Sequence, residues 1–205
     1  NQGDPPCQGG RKREEFGMMK QQDKVKKLAV TGLLSALVFI FSWIQVPIGD
    51  VARLHLGNVF CALFGLLFGP IVGGIASGFG SMLFDFTNPA YIAESWITFI
   101  TKFAIGFLAG LIAKHGAKAR AGVLLDTAAA GVGCFAYVVL YLLKSFIMMA
   151  WVEGQVMQAV YTQLITKGVT SSINALCAVV FSVLLAQAMR PALRRAHLWE
   201  EPELH

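Results

Sequence analysis

The chain has 205 residues, 56% hydrophobic and 14% charged, with a mean hydropathy of +0.60 and a formal net charge of +5. Soluble domains carry about 25% charged residues, so a soluble enzyme or nucleic-acid-binding domain is excluded and the basic excess has to be read through membrane topology. The apolar stretches are long and unbroken rather than alternating, which excludes a β-barrel and leaves an all-α integral membrane bundle.

In chain order, residues 1–27 are polar and carry Arg11, Lys12, Arg13, Lys20, Lys24, Lys26 and Lys27. This Gly/Pro/Gln-rich start reads as a basic cytoplasmic tail without stable structure. The first apolar run, Leu28–Val46, is 19 residues long. That exceeds the ~7–15 residues of a signal-peptide core, and no clean small-residue cleavage site follows, so it reads as a retained span. Six transmembrane helices are expected, at 28–46, 55–68, 70–86, 96–113, 122–150 and 162–189, the second and third split at Gly69-Pro70. They make one membrane domain over 28–190, followed by a second cytoplasmic tail over 191–205.

Lys and Arg orient such a bundle, because cytoplasmic loops hold them in excess. The N-terminal segment has seven, the loop after helix 4 has Lys114, Lys118 and Arg120, and the C-terminal tail has Arg190, Arg194 and Arg195, out of 17 in all. Six spans put all three regions on one side, which predicts N-in, C-in. Gly65, Gly69 and Gly73, Gly74 and Gly78, and Gly106 and Gly110 recur at four-residue spacing. Small residues so spaced let helix backbones approach closely in lipid, and internal packing is the better reading for most of them. Gly32 and Ala36 on helix 1 form a further pair that suits a partner subunit.

Three lysines, Lys102, Lys144 and Lys167, lie inside these spans. Counted from the outer ends of helices 4, 5 and 6 they sit about 8–10 Å deep at ~1.5 Å per residue. Each belongs to a polar stripe at helical spacing: Thr98, Lys102 and Gly106; Tyr137, Tyr141, Lys144 and Met148; Lys167, Ser171 and Asn174. A single lysine at that depth can snorkel to the headgroups. Three on matching stripes favour a cavity open to the outside, holding a polar or anionic ligand, with Asp85 and Glu94 as candidate counter-charges. The outer loops add Arg53, His55 and Asn58 from the first, and Asp85, Asn88 and Trp96 from the second. Asn88-Pro89 marks a turn there.

The sequence has no GxxxxGK[ST] phosphate loop. Its histidines (His55, His115, His197, His205) lie outside the later spans, so Ser81 in Gly78-Phe79-Gly80-Ser81 lacks a base, and no enzyme is expected. The four cysteines show neither metal-ligand nor disulfide-framework spacing, and no metal is expected.

Leu54-His55-Leu56-Gly57-Asn58, then Phe68-Gly69-Pro70-Ile71-Val72-Gly73-Gly74, Gly78-Phe79-Gly80-Ser81-Met82-Leu83-Phe84-Asp85 and Thr98-Phe99-Ile100-Thr101-Lys102-Phe103-Ala104-Ile105-Gly106 resemble the substrate-binding S components of energy-coupling factor (ECF) vitamin transporters. The motifs cover residues 54–110, and helices 5 and 6 match only in general plan. The resemblance implies a prokaryotic plasma-membrane subunit that captures a vitamin or cofactor precursor from outside. It also implies a membrane T component and two ATPases as partners, with ATP used by them and no cofactor in this chain. The family docks on its T component through an Ala-x-x-x-Ala-type patch on helix 1. Here the matching positions are Gly32 and Ala36, a departure at the first. The resemblance places ligand contacts in the two outer loops and the outer halves of helices 4–6, where the stripes lie. The competing reading is a self-contained transporter or channel with a lysine-lined path.

Overall fold

The apolar runs become six α-helices in the computed structural model, which describes residues 8–48, 52–87, 89, 91–116 and 122–195. They are α1 (Gln8–Ser42), α2 (Leu56–Phe68), α3 (Pro70–Phe86), α4 (Ser95–Gly116), α5 (Val123–Ile147) and α6 (Met157–Arg195). Four stretches, 24–42, 92–116, 123–152 and 157–193, are long and apolar enough to cross a membrane by length and composition. The other two helices, α2 and α3, are apolar but shorter, with 13 and 17 residues. At ~1.5 Å per residue these extend roughly 20 and 26 Å, against about 30 Å for a hydrocarbon core.

Several boundaries differ from expectation. The first helix starts at Gln8, so the segment up to residue 27 that was expected to lack structure continues α1, while residues 1–7 lie outside the described residues. It ends at Ser42 rather than Val46. Residues Gln45–Ile48 instead form β1, paired antiparallel with β2 (Ala52–His55) in the register Gln45↔His55 to Ile48↔Ala52. Pro47 is the reason: it disfavours helix at the residue before it and lacks the N–H a helix interior requires. The bundle therefore carries a small hairpin and is not wholly α. At the far end of α5 the backbone widens into a π-helical turn, Met148–Val152, closed by Glu153 N–H on the Met148 carbonyl at 2.9 Å. The last helix starts at Met157, five residues before the expected 162, and Pro191 does not end it.

The break between α2 and α3 falls where Gly69-Pro70 placed it. Gly69 has φ +83°, a conformation that favours glycine, and Pro70 occupies the first turn of α3, where its missing N–H costs nothing. Chain reversal there lays α3 back along α2. The second helix, apolar on all sides, is the centre of the bundle: every residue from Gly57 to Leu67 except Phe60 is buried, and it touches all five other helices. Its core partners include Leu34 and Val38 of α1, Ile105 and Ala109 of α4, Ala129 and Cys134 of α5, and Ala178 and Val183 of α6.

Glycines set how near these helices come. A methyl on Gly65 would strike the backbone of Gly106, and one on Gly106 would lie 2.5 Å from the Gly73 carbonyl oxygen. Helices α2, α3 and α4 therefore meet backbone to backbone at one level. Nearer the ends of α5 and α6, the Arg190 guanidinium grips buried Asp126 through two bonds of 2.6 and 2.7 Å, and Gln187 adds a third at 2.6 Å. A bidentate, charge-assisted pair of this kind is geometrically specific and ties α5 to α6.

The glycine contact is testable by contrast with Gly32, around which a methyl would meet nothing within 4 Å. Overpacking at Gly106→Val is expected to cost about 1–3 kcal/mol or more, with a lower melting temperature in detergent. Gly32→Val should leave the melting temperature close to wild type. Equal losses at both sites would contradict the close approach.

Candidate functional site

A cavity of about 790 Å³ opens at the end of the bundle where β2, the α3–α4 connection and the α5–α6 connection lie. That size suits a small organic ligand, for which sites span about 300–1,000 Å³. Ten sequence-predicted residues line it: His55, Asn58, Asp85, Thr98, Lys102, Tyr141, Lys144, Lys167, Ser171 and Asn174. The three intramembrane lysines thus share one space, as their stripes implied.

Each lysine is held differently. Lys102, 9% exposed, donates to the Asn58 carboxamide oxygen and lies over the Tyr137 ring at 4.4 Å. That places the ammonium against a neutral acceptor and the negative face of an aromatic ring. On α5, Lys144 forms an ion pair with Glu94, in the short 3₁₀ turn Ile92–Glu94. On α6, Lys167 reaches the Met149 sulfur at 3.9 Å, a weak acceptor supplied by the π turn. Tyr137 and Tyr141 stack one turn apart, with centroids 5.9 Å apart and planes inclined by 21°. The hairpin is tied down by the His55 N–H on the Asn174 side-chain oxygen at 3.0 Å, a bond between residues 119 apart in sequence.

One described residue predicted for the site is not brought to the cavity. Trp96 is 61% exposed and absent from the lining, which corrects its proposed ligand role. It shares its outward orientation with Trp43 and Trp151. Amphipathic indoles at helix ends serve as interfacial anchors. Asn88 and the Arg53 side chain lie outside the described residues.

The cavity also holds residues that were not expected there. Tyr137 and Glu94 were noticed, one in a stripe and one as a counter-charge. Ser145 of α5 and Met149 of the π turn form a second line at four-residue spacing beside the recognised one. Thr166 and Thr170 flank Lys167 in the same way. Their hydroxyls turn back on the carbonyls of Thr162 and Thr166, at 3.1 and 2.9 Å, as hydroxyls in apolar helices do. Ser42 carried no signal beyond being an isolated polar residue, and Ser81, weighed as a nucleophile and quoted in the Gly78–Asp85 motif, was not expected on the lining.

The profile of the ECF-type riboflavin transporter S component family matches residues 22–191. The chain belongs to this family. The motifs over residues 54–110 implied the same membership, and the family is one of transporter S components rather than enzymes. Among curated relatives, a UPF0397 protein of Lactiplantibacillus plantarum is 32% identical over 107 residues, 51% of this chain and 56% of that one. An uncharacterized protein (in gap 3′ region) of Pyrococcus woesei is 32% identical over 90 residues, 43% of this chain and 59% of that one. The chain thus spans somewhat over half the length of the curated relatives it matches.

The Lys144–Glu94 pair joins the α3–α4 connection to α5, with side chains only 18% and 25% exposed. Breaking one partner leaves the other charge poorly compensated. Lys144→Met and Glu94→Gln should each lower thermal stability, and the double variant should lose less than their sum, with a coupling of about 0.5–3 kcal/mol. Strict additivity in that cycle would show that the pair contributes nothing.

Proposed function

We propose that this protein is the high-affinity capture subunit of an ECF-type importer. It takes a vitamin or cofactor precursor at the cavity mouth and delivers it by reorienting with a T component driven by two ATPase subunits. The observation that carries the reading is a built polar cavity at one end of the bundle, with three helices packed backbone to backbone beneath it. Below the cavity α2, α3 and α4 meet at Gly65, Gly73 and Gly106. That closure weighs against the alternative of a self-contained channel, which requires a continuous path. In the orientation proposed from the basic residues, N-in and C-in, the cavity faces outward and the Asp126–Arg190 pair lies on the cytoplasmic side, in a prokaryotic plasma membrane. The family's description names riboflavin. A flavin is accordingly one candidate among vitamins with a planar ring, for which Tyr137 and Tyr141 offer a stacking face.

Docking is proposed at a second feature. An apolar groove between α1 and α3 is lined by Leu28, Gly32, Ala36 and Phe39 on one side and Ile75, Phe79 and Leu83 on the other. The hydroxyls of Thr31 and Ser35 on its wall bond the Lys27 and Thr31 carbonyls at 2.7 and 2.8 Å, so the groove offers no free polar demand. Gly32 leaves it open to the close approach of a partner helix.

Filling that groove separates capture from delivery. Ala36→Trp and Gly32→Trp are expected to abolish ATP-dependent uptake in cells while the purified variants retain ligand binding. Wild-type uptake by either variant would remove the docking role. Uptake by the purified chain alone in liposomes would favour the self-contained transporter instead.

A further inference from the structure

We propose that the captured compound is an anion, carrying a carboxylate or phosphate group, and that Lys102 and Lys167 hold that group between them. The inference rests on the capture reading and names its ligand class. It departs from the neutral flavin that the family description alone would indicate.

The observation is an imbalance of pairing within one cavity. Lys144 is already neutralised by Glu94. Lys102 has only neutral partners, the Asn58 carboxamide and the Tyr137 ring, and Lys167 has only a thioether. Among the described residues neither lysine has a carboxylate within ion-pair distance. Of the remaining carboxylates on the lining, buried Asp85 forms no ion pair with any of the lysines, and exposed Glu153 at the rim accepts from the Gln155 amide at 2.6 Å. The buried part of the cavity therefore sets three lysines against Glu94 and Asp85, an excess of one positive charge. An uncompensated ammonium inside a membrane bundle is expensive, and side chains so placed mark the path of a ligand or ion. A ligand anion supplies the missing counter-charge. A neutral ligand uses the Tyr137–Tyr141 face but leaves both ammonium groups as they were. A phosphate-bearing lipid headgroup offers the same chemistry as a soluble anion, so the two sources have to be separated by experiment.

The test uses the full chain in phosphatidylcholine nanodiscs, with retained compounds released and identified by mass spectrometry. The probes are three matched pairs, each an anion with a neutral counterpart: riboflavin 5′-phosphate with riboflavin, nicotinate with nicotinamide, and pantothenate with pantothenol. A small-metabolite filtrate of a bacterial lysate is applied in parallel. The expected result is retention of an anionic compound, with affinity about ten- to hundredfold above any neutral counterpart. That preference should be lost in Lys102→Met and in Lys167→Met and kept in Lys102→Arg, all at wild-type melting temperature, with Lys102→Gln or Lys167→Gln standing in where a methionine variant is unstable. Retention of a neutral or cationic compound, insensitive to both methionine substitutions, overturns the anion class and leaves the capture reading intact. Anionic phospholipid carried through purification at one per chain, in place of any soluble compound and lost in the same variants, overturns the soluble ligand and assigns the lysines to a headgroup. Retention of nothing from the pairs or the filtrate overturns the capture reading itself.

Discussion

The backbone contact of Gly65 with Gly106 governs the rest of the architecture. It fixes both the spacing and the register of two parallel helices, α2 and α4. Asn58 stands seven residues, about 10 Å, toward the cavity from Gly65, and Lys102 four residues, about 6 Å, from Gly106. Side chains on a helix lean toward its N-terminus, and the lysine stem covers the remaining distance. Lys102 meets Asn58 because the glycines beneath them touch. A bulkier residue at either glycine would separate the helices and shift that register. The packing that closes the lower bundle thereby positions a functional group in the cavity above it.

Charge is distributed on the same logic. The two ion pairs described above lie toward opposite ends, Lys144–Glu94 at the cavity and Arg190–Asp126 near the far ends of α5 and α6. Between them the core is apolar and glycine-lined. The hydroxyls of buried Ser42 and Ser77 and of exposed Thr166 are absorbed by their own helices, bonding the carbonyl four residues back. Among the described residues, the polar side chains left over gather in the cavity.

Much of this was legible in the sequence, for physical reasons that differ by feature. Helix existence followed from apolar length, and the α2–α3 break from Gly69-Pro70, because both are local effects. The convergence of Lys102, Lys144 and Lys167 was legible because a charge in an apolar helix has few places to point. The hairpin was not, although Pro47 argued against a helix through Val46; hydropathy alone ran the span onward. Trp96 was misplaced because an indole at a helix end suits either a ligand or an interface, and only the fold decides which face it takes. Asp126 and Arg190 lie 64 residues apart, so nothing in either local stretch announces their pairing. The extra turns of α1 and α6 escaped because polar residues continue a helix without continuing its hydropathy.

The central position of α2 has a consequence for biogenesis. A short helix enclosed by protein has no lipid-facing surface of its own, and its enclosure is assembled from segments synthesised long after it. Ala178 and Val183 of α6 pack on its core, and Asn174 secures the hairpin at its N-terminus. During synthesis the middle of the molecule must wait, incompletely housed, until the final helix emerges. The cavity is finished at that same moment, since α6 contributes Lys167 and Ser171 to its wall. Completion of the core and completion of the cavity are thus one event, and a chain stopped before α6 would possess neither.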